Sequence, residues 1–217
     1  MNRIEELPIV NYETLENYWN LDYSSKGKLI ESIGTQFLHF YSLRTKEITS
    51  KMLQKTHGDT VATLVIPSLV NKQVTADFKA GGHSRGYNDL CVDIQYLTKE
   101  GTPKLVSGTN IGWLFTTVSD FIIAIIPKSR KLYFISWSNA VQKELIRAYS
   151  LYCDGIEQLP SWVIMDTITI DNYKNTQVLR VNLEQLMEQF PEFISDYKII
   201  SMENYYRPTR RSSKILQ

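Results

Sequence analysis

The sequence lacks most of the signatures that identify a chemistry by themselves. Its two cysteines, Cys91 and Cys153, form no Cys-x-x-Cys pair and have no histidine at ligand spacing. A disulfide framework or a zinc site is therefore not expected, and both cysteines are expected to be buried thiols in a reducing compartment. The three histidines, His39, His57 and His83, also lack metal-ligand spacing. Gly81-Gly82-His83-Ser84-Arg85-Gly86 follows a β-like run but has neither Gly-x-Gly-x-x-Gly spacing nor the Lys-Ser ending of a phosphate loop, so kinases and ATPases are set aside. The first residues, MNRIEELPIVNYETLENYW, contain no apolar run of signal-sequence length. No segment approaches the roughly 18 uninterrupted apolar residues of a membrane span. A soluble, cytoplasmic protein without a membrane partner is expected. Net charge is small as well: 24 Lys and Arg against 23 Asp and Glu leave +1. Bulk charge thus implies no general polyanion binder, and any site for a polyanion must be local.

What is present is material for one substantial core. The chain has 217 residues, of which 43% are hydrophobic, enough for a single domain at 24–200. An N-terminal segment at 1–23 and a basic tail at 201–217 flank it. Residues 12–22 are compatible with a short helix or a docking segment. From Ser24 and Ser25, the candidate N-caps, Leu29, Ile30, Ile33, Phe37, Leu38 and Phe40 recur at helical spacing, which predicts a helix to about Tyr41 that continues or restarts through Glu47 to Leu53. β-rich runs follow at 60–66, broken by Pro67, at 73–79 and at 90–97. A short helix is expected at 111–118, a strand buried on both faces at 121–126, another strand at 131–137 and a helix at 139–151. Edge strands are expected at 162–170 and 177–181, and a helix at 183–190. The fold class this order predicts is α/β, with a central mixed β-sheet flanked by helices.

Chemistry concentrates around the second β-run. Asp59 stands at the mouth of one strand, and Asp77-Phe78-Lys79 lies within the next. Hydrolysis of a phosphodiester calls for a hard divalent cation, and such cations prefer carboxylate and carbonyl oxygens. Asp59, Asp77 and the Phe78 carbonyl supply that donor set. Side chains alternate along a strand, so Asp77 and Lys79 share a face, and the ammonium can orient or deprotonate an attacking water. Glu31, on the preceding helix beside Ile30 and Ile33, is a fourth candidate. A second acidic-x-lysine triplet, Asp196-Tyr197-Lys198, has no partner aspartate upstream.

In this order Glu31, Asp59 and Asp77-Phe78-Lys79 resemble the PD-(D/E)XK nuclease superfamily, in which a helix carries a glutamate, an aspartate opens a strand and an acidic-x-lysine triplet follows on the neighbouring strand. The resemblance spans roughly residues 24–150, including the helix at Gly112-Trp113-Leu114-Phe115. Gly58 stands where the name-giving proline would be, and Asp77 takes a place more often held by glutamate. The resemblance implies a restriction-endonuclease-like or Holliday-junction-resolvase-like core. Its implied activity is Mg²⁺- or Mn²⁺-dependent DNA endonuclease, of restriction, junction-resolving or phage and mobile-element type, with a homodimer if both strands are cut. Asp93 and Gln95 become candidates for a supporting shell. Lys72, His83 and Arg85 become candidate DNA contacts, as do Arg207, Arg210, Arg211 and Lys214 in the tail.

Two other readings use the same residues. A non-catalytic nucleic-acid-binding or scaffolding protein would keep Asp77 and Lys79 as a structural ion pair and bind DNA equally well in EDTA. A protein-interaction subunit would fail to bind DNA even at low salt.

Overall fold

The computed structural model describes residues 6–10, 12–50, 60–66, 69–82, 88–104, 110–171 and 174–201. They form a mixed α/β structure with two sheets. The strands are β1 (Glu6–Val10), β2 (Ser42–Glu47), β3 (Thr60–Ile66), β4 (Leu69–Ala80), β5 (Asp89–Leu97), β6 (Phe121–Ile126), β7 (Lys131–Ser136), β8 (Val163–Asp171), β9 (Lys174–Asn182) and β10 (Ile194–Ser201). The helices are α1 (Tyr12–Glu16), α2 (Tyr23–Tyr41), α3 (Trp113–Thr116), α4 (Gln142–Cys153) and α5 (Leu183–Gln189). The larger sheet runs β1-β10-β7-β6-β4-β3-β2, and the smaller runs β5-β9-β8. In the larger sheet β4 and β6 are parallel, as are β1 and β10, and the other neighbours are antiparallel. Among the described residues no helix is long and apolar enough to cross a membrane.

Helix α2 begins where a polar side chain satisfies its free amides. Asp22 accepts from Ser25 N at 3.0 Å and from Ser25 Oγ, so Asp22 takes the capping role expected of Ser24 or Ser25. Ile30, Ile33, Phe37 and Leu38 then pack on one face of the larger sheet with Val74, Ala76 and Phe78 of β4 and Ile123 and Ile125 of β6. The opposite face of that sheet, through Ile122, Ala124 and Ile126 of β6 and Tyr133 and Ile135 of β7, packs against the smaller sheet and α4. β6 therefore contributes to both cores, as its unbroken apolar run requires.

Three expectations need correction. The stretch Ser42–Glu47, expected as helix, is a strand paired with β3; cross-strand pairing overrides its local preference. The run at 90–97 does not continue the sheet of β4, since it pairs with β9 in the smaller sheet. Its alternation explains this: Leu90, Val92 and Ile94 are buried, and Cys91 and Asp93 between them are only half-buried. Such a strand suits a sheet with one covered face, while the fully apolar β6 takes the place beside β4. Finally β9, expected at an edge, lies between β5 and β8.

Helix α2 touches the strand of interest through a glycine. A Cβ on Gly34 would lie 2.3, 2.5 and 2.8 Å from three ring atoms of Phe78. Replacing a mid-helix glycine with alanine ordinarily gains about 1 kcal/mol. Here a buried ring, fixed between Asp77 and Lys79, must move instead, at an overpacking cost of about 1–3 kcal/mol. Gly34→Ala is therefore expected to lower Tm in a thermal melt. A raised Tm would mean that the helix and Phe78 separate without cost.

Candidate active site

The alternation of β4 decides what its side chains meet. Val74, Ala76 and Phe78 face α2, so Thr75, Asp77 and Lys79 face the other way, toward the smaller sheet and α3. Asp77 is 5% exposed. Its Oδ2 lies 2.6 Å from Lys79 Nζ, and the lysine side chain retains 29% exposure. The carboxylate is thus buried and the cation reaches the surface. Burying a carboxylate is costly, and such a partner offsets part of the cost. Two residues earlier, Thr75 N and Oγ1 donate to Asp120 Oδ2 at 2.8 and 3.1 Å, and Asp120 N donates back to Thr75 Oγ1 at 3.1 Å. That ring of bonds ties β4 to the entrance of β6 and fixes the height of Asp77 on the sheet.

The backbone adds a second oxygen. Gly81 N donates to Ile125 O of β6 at 2.9 Å, and the β4–β6 register runs without a shift from Ala76 to Ala80. Main-chain groups of residues 77, 79 and 81 therefore point to β6, and those of 76, 78 and 80 point to the β3 side. The Phe78 carbonyl is directed to the strand that Asp59 precedes in sequence. Thr60, the residue after Asp59, is registered opposite Ala76, the residue before Asp77. Asp59 itself lies outside the described residues, as do His83, Arg85, Arg207, Arg210, Arg211 and Lys214. Lys72 is in β4, opposite Leu64.

The structure brings Asp77 and Lys79 together and does not bring Glu31 to them. Glu31 is exposed on α2, in the layer that covers Phe78 on the far face of the sheet. Asp93 and Gln95 lie on β5 in the smaller sheet, where Asp93 Oδ2 accepts from the Tyr96 hydroxyl at 3.4 Å and Gln95 Nε2 donates to Gln177 Oε1 at 2.7 Å. The second triplet differs from the first in environment: Asp196, on β10, has a side chain 38% exposed and sits 3.5 Å from Lys131 Nζ. Burial thus separates Asp77 from Asp196.

Sequence reasoning missed two neighbours of the pair. Asp120 has no motif around it; its position beside Thr75 follows only from the parallel pairing of β4 with β6. Trp113 was read as a helix former, yet its ring lies 5.2 Å from Lys79 Nζ. The cysteines depart in part from expectation. Cys153 is exposed, at the end of α4, outside either core. Cys91 is half-buried, and burial first, then the charge of Asp89, pushes its thiol up to about 12. It is a protonated, unreactive thiol at neutral pH.

Comparison of the chain with protein-family models, with curated proteins and with solved structures finds no match.

Proposed function

We propose that this protein is a metal-dependent DNA endonuclease that hydrolyses phosphodiester bonds at Asp77 and Lys79, with Asp59 as the second carboxylate. The observation that carries the reading is the buried Asp77 carboxylate closed on the partly exposed Lys79 ammonium at 2.6 Å, on a strand whose neighbour opens one residue after Asp59. The order α2, β3, β4, α3, β6, β7 supports a restriction-endonuclease-like core within the larger sheet, with β5 diverted into the smaller one.

The donor chemistry fits a hard cation. A carboxylate oxygen and a main-chain carbonyl from adjacent residues of one strand are the ligands that Mg²⁺ and Mn²⁺ prefer. Asp77, the Phe78 carbonyl and Asp59 would hold the ion. When bound, it supplies positive charge for the scissile phosphate and acidifies the attacking water. Lys79 presents its ammonium beside the same carboxylate and reaches solvent, where a phosphate oxygen can approach it. Asp120 ties Thr75 of the same strand to the start of β6. Glu31 is left outside the proposed centre. Lys72, His83, Arg85 and the tail cations remain the proposed backbone contacts of DNA, and a homodimer is the proposed assembly for a two-strand cut.

One observation favours a second reading. Asp77 and Lys79 already satisfy each other, which is the contact a purely structural pair would make, as in a non-catalytic nucleic-acid-binding or scaffolding protein. Cleavage of supercoiled plasmid and of a branched DNA in Mg²⁺, Mn²⁺ and EDTA distinguishes the two. Cutting in either metal and none in EDTA is expected. Binding that is equal with and without EDTA, with no cutting, would establish the second reading.

A further inference from the structure

The side chain that lies over Lys79 comes from an element that the proposed chemistry does not use. Trp113 opens α3, and its place is set from both sides. On one side, Gly112 N donates to Ile94 O of β5 at 2.7 Å, and a Cβ on Gly112 would lie 2.2 Å from Asp93 O. Only a glycine allows the start of α3 to seat this closely on β5. On the other side, the Trp113 ring lies 5.1 Å from that of the fully buried Trp137. Held so, the indole places its ring 5.2 Å from Lys79 Nζ while Asp77 Oδ2 lies at 2.6 Å. Both neighbours attract the same group. A carboxylate stabilises an ammonium by charge, and an aromatic face stabilises it through the ring quadrupole.

We infer that Trp113 is the positioning residue of this centre: its indole holds the Lys79 side chain against Asp77, with the ammonium set where the scissile phosphate would approach. The inference rests on the nuclease reading for its role in cleavage, but the Trp113–Lys79 contact can be tested without it. It also gives α3 a purpose beyond packing, since a long, partly exposed lysine chain near the end of β4 would otherwise sample many rotamers. Trp113 removes that freedom before DNA arrives, which is the preorganisation that charge stabilisation needs.

The test uses the whole protein and two readouts. With lysine labelled at ¹³Cε, the Lys79 resonance is assigned by its disappearance in Lys79→Arg. Its ε protons are expected upfield of the other lysines through the indole ring current, with the shift lost in Trp113→Leu and partly kept in Trp113→Phe. An unmoved resonance in Trp113→Leu would overturn the inference. In Mg²⁺-dependent plasmid cleavage, Trp113→Leu should lower kcat about tenfold with KM for DNA within about twofold, and Trp113→Phe should recover most of the loss. Loss in KM alone would also overturn it. Should the wild-type protein not cut at all, the nuclease reading fails, and the lysine resonance still decides whether Trp113 holds Lys79.

Discussion

Asp77→Asn is expected to reduce metal-dependent cleavage by at least about a thousandfold while leaving the fold intact. The two halves of that expectation have different causes. Activity falls because an amide oxygen is a weaker ligand for a hard cation than a carboxylate and supplies no negative charge to hold it. Stability holds because the substitution preserves shape and still offers Lys79 an acceptor, and because it removes a charge that is only 5% exposed and costly to bury. Lys79, left without its counter-ion, is 29% exposed and can be solvated. The control is Asp196→Asn in the other acidic-x-lysine triplet. Asp196 meets Lys131 at 3.5 Å across an exposed surface, so its loss should change stability by less than about 1 kcal/mol and leave cleavage as it was. Plasmid nicking rates with thermal melts of the three proteins read both quantities. Full cutting by Asp77→Asn, or equal loss in both variants, would remove Asp77 from the centre.

How much of this was legible in the sequence depends on whether a feature is local. The apolar face of α2, the alternation of β4 and the unbroken apolar run of β6 are properties of consecutive residues, and each forms the element it predicts. The pairing of Asp77 with Lys79 is legible for the same reason, since a period of two puts them on one face whatever the sheet around them. Glu31 shows where such reasoning stops. Helical spacing places it between Ile30 and Ile33, but only the packing of Phe78 against Gly34 reveals that α2 covers the face of β4 opposite to Asp77. β10 was hidden because Asp196 and Lys198 sit within it and mask the apolar Ile194 and Ile199, both buried. Its strand state comes from its place between β1 and β7. Trp113 could not be found this way either. Its relation to Lys79 spans two elements and depends on a glycine contact with a third.

The smaller sheet carries the second large effect. Arg180 on β9 donates from Nε and Nη2 to Asp89 Oδ2 at 3.1 and 2.8 Å, and from Nη1 to Asp166 Oδ2 at 3.1 Å. Asp89 is 4% exposed, and its Oδ1 is buried without a hydrogen-bond partner, so Arg180 is what compensates this carboxylate among the described residues. Arg180→Met keeps much of the side-chain volume and removes the charge. It should cost about 3–5 kcal/mol in urea unfolding, because an uncompensated buried carboxylate remains. Asp89→Asn in the same background removes the stranded charge and should restore a large part of that loss, so the double variant is expected to be more stable than Arg180→Met alone. Simple addition of the two single losses would show that the pair is not coupled. A loss below about 1 kcal/mol in Arg180→Met would mean that water reaches Asp89 and that the contact behaves as a surface salt bridge. The consequence extends to the proposed centre through β5. Asp89 opens that strand, and the backbone at Asp93 and Ile94 seats Gly112 and hence Trp113. A weakened β5–β9 pairing should therefore loosen the indole over Lys79 even though neither Asp89 nor Arg180 touches it. Arg180→Met would then lower kcat in plasmid cleavage at temperatures well below its Tm, in the same direction as Trp113→Leu, and the double Asp89→Asn/Arg180→Met variant would recover it.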